Sequence, residues 1–468
     1  MSAVHVEVRP GAYADSVALL DVSRVLQDVS GVAAGQVAMA TALNVDVLTT
    51  MGFTVPDGTG PNDLVVAVRL APDADDGTLE RALAAVEEAL RAPARRTSEA
   101  AEEPPHTTAS ALRLAPGALV LVSVPGASAF VEAVDALEAG SDVMVFSDNV
   151  PVAQEVALKR LAAERDLLVM GPDCGTAVVG GVGLGFANAV APGPVGIVAA
   201  SGTGCQQLLA LLDHAGVGIS HALGVGGRDL SAEVGGAATR EALRRLDADP
   251  ATEVVVLVSK PPADEVAAAL ASYVGELTTP VGSGLLGPGR RDLTAVAEAT
   301  LAQLGRPVPA WPVAGRARQG RGGRLHGLFV GGTLCTEARL VAEALGVDGS
   351  FTDFGDDEYT RGRAHPMIDP TLRLERLAAV GALPETGVVL LDVVLGHGAE
   401  PDPAARLAPA IRALDQPVVV TVVGTSRDPQ GRDRQVAALV EAGAEVHLSN
   451  ARAARRAVQL AGAAGGAA

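Results

Sequence analysis

Gly196-Ile197-Val198-Ala199-Ala200-Ser201-Gly202-Thr203-Gly204-Cys205 decides how this chain is read. An apolar run short enough for a buried strand ends in the small-residue turn Ser201-Gly202-Thr203-Gly204. An amphipathic helical run over 206–214 follows at once. A strand feeding a helix through such a turn leaves backbone N–H groups at the helix N-terminus with no side chain in the way, which suits phosphate or carboxylate. A second Gly-rich turn of this kind lies at Leu391-Asp392-Val393-Val394-Leu395-Gly396-His397-Gly398.

Outward from that stretch, apolar segments alternate with helical ones. Strands are expected at 119–124, 143–146, 167–170, 195–199, 219–223 and 254–258, each followed by a helical stretch. After a Pro-, Gly- and Arg-rich linker at 305–324 the alternation resumes, with strands at 325–330, 387–393, 418–423 and 445–448. Continuous apolar strands alternating with helices predict parallel sheets covered on both faces. The fold class is therefore α/β, with consecutive doubly wound parallel-sheet domains of Rossmann and flavodoxin-like type. Their bounds are expected at 111–191, 192–304 and 325–468, the last ending in an Ala-rich, frayed tail. Residues 1–92 read as a small α+β domain, ferredoxin-like in outline. A Pro-, Glu- and Thr-rich linker spans 93–110.

Bulk composition narrows the function classes. At 468 residues several domains are expected. With one Trp, three Tyr and seven Phe the chain is poor in the aromatic platforms that stack on bases. A formal charge of −19 argues against nucleic acid and against an anionic membrane as partners. The three cysteines are scattered and make neither a disulfide framework nor a CxxC metal pattern. No basic segment followed by an apolar one opens the chain, and no apolar run approaches the ~20 residues of a membrane span. The expectation is a soluble cytoplasmic protein without a metal.

In open parallel sheets, ligands gather where strands end. The candidate pocket residues at such positions are Asn149, Asp173, Cys174, Ser201, Gly202, Thr203, Gly204, Gly332, Thr333, Asp392, Gly396, His397, Gly398 and Thr425. His397 and His365 stand in loops where an imidazole is free to reach a ligand, and Lys260 follows the strand at 254–258. The other six histidines, His447 among them, read as structural. Cys174 and Cys205 read as buried, inert thiols. The acidic run Asp353-Phe354-Gly355-Asp356-Asp357-Glu358 reads as a solvated loop. Gly180-Gly181-Val182-Gly183-Leu184-Gly185 lacks dinucleotide-fingerprint spacing, and no Walker A lysine motif occurs.

The stretch 119–264 resembles the α subunit of succinyl-CoA synthetase. The likeness rests on Val145-Phe146-Ser147-Asp148-Asn149-Val150-Pro151, Met170-Gly171-Pro172-Asp173-Cys174, Gly196 to Thr203, and Gly224-Val225-Gly226-Gly227-Arg228-Asp229. Residues 387–461 are similar to the carboxyl-terminal domain of that enzyme's β subunit, with Gly396-His397-Gly398 at its Gly-Gly turn. The resemblance implies two helix N-termini facing one phosphate. The phosphohistidine loop of the synthetase has no histidine at its counterpart here, Pro280 to Gly289. Its glutamate loop is replaced by Ser259-Lys260-Pro261-Pro262, and the nucleotide-binding domain is missing.

Over nearly its whole length the chain resembles the FdrA family. That likeness rests on Leu328-Phe329-Val330-Gly331-Gly332-Thr333-Leu334-Cys335, His365-Pro366-Met367-Ile368-Asp369-Pro370, Leu391 to Gly398, and Gly424-Thr425-Ser426-Arg427-Asp428-Pro429-Gln430. It implies a subunit of an oxamate carbamoyltransferase in allantoin and purine-nitrogen breakdown. Oxalurate and phosphate would be interconverted with oxamate and carbamoyl phosphate, with separate partner subunits in an oligomer. No cofactor is needed for that reaction, and CoA is in doubt. Ser201, Gly202, Thr203, Gly204, Gly396 and Gly398 would hold phosphate, His397 would serve the leaving group, and Lys260 would hold the substrate carboxylate. Two alternatives stand beside it. One is an acyl-CoA synthetase-like ligase subunit that borrows a nucleotide-binding partner and carries His397 as its phosphohistidine. The other is a non-catalytic subunit that binds a phosphorylated metabolite.

Overall fold

The computed structural model describes residues 4–12, 14, 16–72, 74–95, 105–320, 322–360 and 364–462. These form two compact units. One comprises 1–111 with 123–128 and 361–364, and the other 112–122, 129–360 and 365–468. Residues 96–104 of the 93–110 linker and the alanine-rich tail beyond 462 lie outside the described residues.

The smaller unit runs β1 (Val4–Arg9), α1 (Ser16–Gln27), β2 (Val32–Met39), α2 (Ala42–Thr50), β3 (Leu64–Leu70) and α3 (Thr78–Arg95). Its strands lie in the order β1-β3-β2, with β3 antiparallel to both neighbours. This is a split β-α-β arrangement. Leu26, Val37, Val66, Val68 and Val86 fill the core between sheet and helices.

After α4 (Thr108–Leu114), the larger unit opens with β4 (Val120–Val122), α5 (Gly126–Glu138), β5 (Val143–Val145), α6 (Val152–Ala163) and β6 (Val169–Met170). These three strands form a parallel sheet. A hairpin, not a helix, comes next: β7 (Thr176–Val179) and β8 (Val182–Gly185). Gly180 and Gly181 take φ of 56° and 81° between them. Two residues at positive φ make the turn whose twist matches a tight hairpin.

The hairpin joins the second sheet, β12-β11-β9-β10-β7-β8. Its other members are β9 (Pro192–Ala200), β10 (Ile219–Gly224), β11 (Val254–Ser259) and β12 (Val281–Leu285). They are connected by α7 (Gly202–His214), α8 (Ala237–Ala248) and α9 (Asp264–Val274), and α10 (Leu293–Gln303) follows. In segment 305–324, read from sequence as a linker, β13 (Val313–Ala314) pairs antiparallel with the last strand of the chain, and Trp311 is buried.

The third sheet contains β14 (Arg324–Phe329), β15 (Gly349–Asp353), β16 (Thr386–Val394), β17 (Val418–Val423) and β18 (Ala444–His447). Its helices are α11 (Gly332–Ala344), α12 (Asp357–Thr360), α13 (Thr371–Gly381), α14 (Pro403–Arg412), α15 (Arg432–Glu441) and α16 (Asn450–Gly462). Its strand order is β13-β18-β17-β16-β14-β15. The α/β expectation of consecutive parallel-sheet domains after a small N-terminal one holds.

Strand alternation sorts side chains to the two faces of each sheet. Val195, Ile197 and Ala199 of β9 point into one core with Val388, Leu390 and Val394 of β16. Helices α7, α10, α11 and α16 fill the space between, so one helix layer serves both sheets. The opposite faces meet separate cores, Val198 with Leu257 and Val389 with Leu391. Three polar side chains inside the shared layer are paired with one another or with backbone. The Gln207 side chain donates to Leu448 O at 3.1 Å and accepts the Asn450 amide at 3.0 Å. Glu337 accepts from Leu293 N at 2.6 Å and from Asn450 Nδ2 at 2.8 Å.

A buried ion network ties α6 to the loop after β10. Lys159 Nζ lies 2.8 Å from both Glu155 Oε1 and Asp229 Oδ1 and donates to Val225 O at 2.9 Å. Asp229 also accepts from the Thr239 amide and hydroxyl, and Arg228 binds Glu155 at 2.9 Å. The motif from Gly224 to Asp229 is thus built into the scaffold.

Two stability predictions follow from these buried charges. Lys159→Met leaves the buried Asp229 carboxylate without a cation and Glu155 with Arg228 alone, and should cost about 3–5 kcal/mol in urea unfolding; a loss under about 1 kcal/mol would remove the network from the scaffold. Glu337 is pushed up to about 7 by burial, with Asp292 nearby adding to the effect. Its folded pKa lies above its unfolded one, so the stability it contributes is complete below the ordinary carboxylate range and is lost as pH rises through about 7. Wild-type stability should therefore fall between about pH 5 and about pH 8, and Glu337→Gln should flatten that slope.

Candidate functional site

Ser201 closes β9 and caps α7. Its Oγ accepts the Gly204 amide at 3.0 Å, satisfying one of the donors a helix start leaves open. The same oxygen lies 2.5 Å from Thr333 Oγ1, in the first turn of α11. The contact is reciprocal. A Cβ on Gly331 would fall 2.8 Å from Thr203 Cγ2 and 2.9 Å from Thr203 Oγ1, so a glycine is required there. Ser201-Gly202-Thr203-Gly204-Cys205 and Gly331-Gly332-Thr333-Leu334-Cys335 share Gly-Thr-x-Cys. Each follows the middle one of three parallel strands: β9 lies between β10 and β11, and β14 between β15 and β16. Two matching turns therefore meet with their helix N-termini together.

Among the described residues, the Gly202, Thr203, Gly332 and Thr333 amides have no protein acceptor. Two positive helix ends at one point favour an anion. Asp392 sets the second of these ends from below. Fully buried, it accepts from Val330 N at 2.8 Å, Gly331 N at 2.9 Å and Arg373 Nη1 at 2.9 Å. It is a positioning group rather than a pocket wall.

Lys260 and Asp353 close over the start of α11. The Lys260 ammonium lies 4.0 Å from Asp353 Oδ2. A Cβ on Gly332 would collide with the Asp353 carboxylate and sit 2.7 Å from Lys260 Nζ. Burial pushes Asp353 up, and Lys260 opposes the shift. In sequence Asp353 reads as part of a solvated acidic loop. The signal that could have separated it is its place as the last residue of a strand, at the carboxyl edge where ligands gather.

The Gly396-His397-Gly398 turn is placed differently from its expected form. No helix starts there; α14 begins at Pro403, capped by Asp402. The Gly396 amide donates to Gln430 Oε1 at 3.2 Å and the His397 amide to Ala187 O at 2.9 Å. Those two N–H groups are used up, one on the Gln430 side chain and the other on the segment that follows β8. Gly396 has φ 129°, and a Cβ on it would fall 2.7 Å from Ala187 O. The opposing helix end is supplied by Gly332 and Thr333 instead. The turn still adjoins the junction: Gln206 of α7 donates to Leu395 O at 3.2 Å and to Phe186 O. The His397 ring is exposed beside Gly183.

His365 packs on Phe186 with ring centroids 5.5 Å apart, and Phe186 packs on Phe146 at 5.4 Å. Its Nδ1 accepts the Met367 amide at 3.2 Å, which assigns the proton of the neutral ring to Nε2. Burial pushes this imidazole down to about 4. Asn149 and Asp173 are exposed on loops after the first sheet, with φ of 53° and 55°. Cys174 and Cys205 are buried, and burial pushes the Cys174 thiol up to about 12, so neither is placed as a nucleophile. Thr425 is a fastener: its amide donates to Asp428 Oδ2 at 2.7 Å and its hydroxyl to Ala189 O at 2.7 Å.

Comparison with known proteins gives this geometry a context. Residues 1–106 match the family described as "AllF, heavy metal-associated domain", and residues 328–460 match the CoA-ligase family. The protein YahF of Escherichia coli (strain K12) is 35% identical, over 94% of this chain and 95% of its own. A succinate–CoA ligase [ADP-forming] subunit alpha of Methanothermobacter thermautotrophicus is 30% identical over 32% of this chain and 52% of its own. The corresponding subunit alpha 2 of Archaeoglobus fulgidus is 30% identical over 50% of this chain and 79% of its own. The expectation of a carbamoyltransferase is corrected by these matches, which are to CoA ligases and point to ligation rather than carbamoyl transfer.

The N-terminal family carries a heavy metal in its name. Residues 1–106 contain no cysteine. Among the described residues, no three His, Cys, Asp or Glu side chains gather to hold a metal ion. The donor set does not fit a soft metal. Among the described residues, no helix is long and apolar enough to cross a membrane.

The head-to-head contact is testable as a coupling. In a double-mutant cycle of Ser201→Ala and Thr333→Val, unfolding should show an interaction energy of about 1 kcal/mol. Strict additivity would mean that the two hydroxyls do not meet.

Proposed function

The chain belongs to the family of Escherichia coli YahF and carries a CoA-ligase region at residues 328–460, and from that premise we propose that it is the acyl-handling subunit of an acyl-CoA synthetase-like ligase. A partner chain would supply the nucleotide site. The observation that carries this reading is the meeting of two helix N-termini at Ser201 and Thr333, with Lys260 beside one and the His397 turn tethered to the other. Such a point holds a phosphoryl group by backbone amides and helix dipoles alone. The relatives named as succinate–CoA ligases are alpha subunits, which supports a partner-dependent assembly.

The chemistry has two balanced steps. A phosphate oxygen attacks the thioester carbonyl of an acyl-CoA, and the CoA thiolate leaves and is protonated. An imidazole nitrogen of His397 then attacks the phosphorus of the acyl phosphate, and the carboxylate leaves. The Gly202 and Thr203 amides would hold the phosphoryl oxygens through both steps. Lys260 would neutralise charge on the transferring group, held in place by Asp353.

These steps run without nucleotide, so the purified chain can be tested directly. It would be incubated with succinyl-CoA or acetyl-CoA and radiolabelled inorganic phosphate. The expected result is acid-labile, alkali-stable label on the protein with release of free CoA, and no label in His397→Asn. Absence of label from both thioesters, or undiminished label in His397→Asn, would sink the corresponding assignment.

A further inference from the structure

Attack of phosphate on a thioester drives negative charge onto the acyl carbonyl oxygen, and that charge needs a hydrogen-bond donor. In the reaction proposed above, the Gly202 and Thr203 amides and Lys260 serve the phosphoryl group. None of them is assigned to the carbonyl.

His365 is a donor held ready for it. Its Nδ1 accepts the Met367 amide at 3.2 Å, so the neutral ring carries its proton on Nε2. Met367 is itself fixed, its carbonyl accepting the Glu400 amide at 2.8 Å. The ring stacks on Phe186, with centroids 5.5 Å apart. One edge and one face are thus held while the residue stays half-buried. Among the described residues, Nε2 has no acceptor and is not one of the partnerless polar atoms sealed from the surface.

That N–H stands at the helix junction. A Cβ on Gly355 would fall 3.1 Å from His365 Nε2, 3.2 Å from Asp353 Oδ1 and 2.9 Å from Val330 O. Val330 leads into the Gly331 turn, and the other oxygen of the same carboxylate, Asp353 Oδ2, is the one that crowds Gly332 at the start of α11. Phe186 also connects the ring to the other imidazole. A Cβ on Gly398 would fall 3.4 Å from Phe186 Cδ1, and one on Gly183 would fall 3.4 Å from His397 Cδ2. The two histidines therefore flank one short segment, Gly183 to Phe186. Burial pushes His365 down to about 4, so it remains an uncharged donor beside Lys260 and the helix ends.

Resting on the ligase reading, we propose that His365 is a further catalytic residue, whose Nε2–H donates to the carbonyl oxygen of the acyl-CoA thioester while phosphate attacks. As the oxygen–carbon bond forms, the carbonyl π pair moves onto oxygen, where Nε2–H meets it. When that pair returns, the carbon–sulfur bond breaks, and CoA leaves as a thiolate that solvent protonates. The imidazole keeps its proton throughout. Attack of His397 on the acyl phosphate forms no such oxyanion and depends on His365 far less.

The test uses the full chain as wild type, His365→Leu and His365→Gln, each shown to be folded by far-UV circular dichroism and melting temperature. The first step is read as the single-turnover rate of phosphate-dependent CoA release from succinyl-CoA and acetyl-CoA. His365→Leu should slow the rate at saturating thioester about 100-fold, with the half-saturating concentration little changed. Glutamine can place an amide N–H near the position of Nε2 and should recover about tenfold of that loss. The second step is read as labelling by radiolabelled acetyl phosphate, which His365→Leu should slow by no more than about threefold. A first-step rate in His365→Leu within about threefold of wild type, a loss carried by the half-saturating concentration alone, no recovery in His365→Gln, or equal losses in the two steps would overturn the His365 assignment and leave the ligase reading standing. A wild-type chain that releases no CoA from either thioester, or takes no label from acetyl phosphate, would end the ligase reading and this assignment with it.

Discussion

Two parallel sheets share a single layer of helices, and the rest of the larger unit follows from that. Helices α7, α10, α11 and α16 must each bury one face against one sheet and another face against its neighbours or the other sheet. Small residues meet that demand. Ala338 and Ala342 of α11 and Ala453, Ala454 and Ala457 of α16 are almost fully buried. With little side chain between them, helices pack close, and a lost methylene leaves a void that close packing does not tolerate. The polar groups at Gln207, Glu337 and Asn450 set the register of that layer, because each has partners only in one alignment.

The junction of Ser201 and Thr333 is a consequence of this shared layer. When the helices after β9 and β14 both lie between the sheets, their starts emerge at the same edge. The two turns are matched in sequence, so their contacts are reciprocal. Meeting of two positive helix ends is unfavourable unless negative groups stand nearby. Asp392 beneath and Asp353 beside supply them within the chain, and Lys260 balances Asp353. The open amides of the two helix starts remain as positive ends in a chain with a formal charge of −19. The local dipoles, not the net charge, set the field at that point.

The departures from succinyl-CoA synthetase acquire a spatial meaning. Lys260 occupies the loop after β11, and His397 the loop after β16. Each of these strands lies beside the strand that leads into the junction, β11 beside β9 and β16 beside β14, so the two loops take corresponding places around it. In this chain a cation and an imidazole stand in those places.

Much of the fold was legible along the chain. The bounds of β17 coincide with the apolar run at 418–423, and β9 extends the expected 195–199 run at both ends. Both are buried on two faces, so hydrophobicity alone marks them. The hairpin β7–β8 was missed because its strands are four residues each and the Gly180-Gly181 turn resembles part of a nucleotide loop. The helix cap at Ser201 was legible because capping is local: one hydroxyl, three residues, one amide. Its contact with Thr333 was not, since 132 residues separate the two. The same limit hid the approach of Asp353 to Lys260 and the engaged amides of Gly396 and His397. The sequence by itself determined which segments are strands and helices and where a helix could begin with its amides open, because those depend on neighbours within a few residues. Only the tertiary structure decided which two helix starts meet and which polar groups are left without a partner, because those depend on how the two sheets close on one layer of helices.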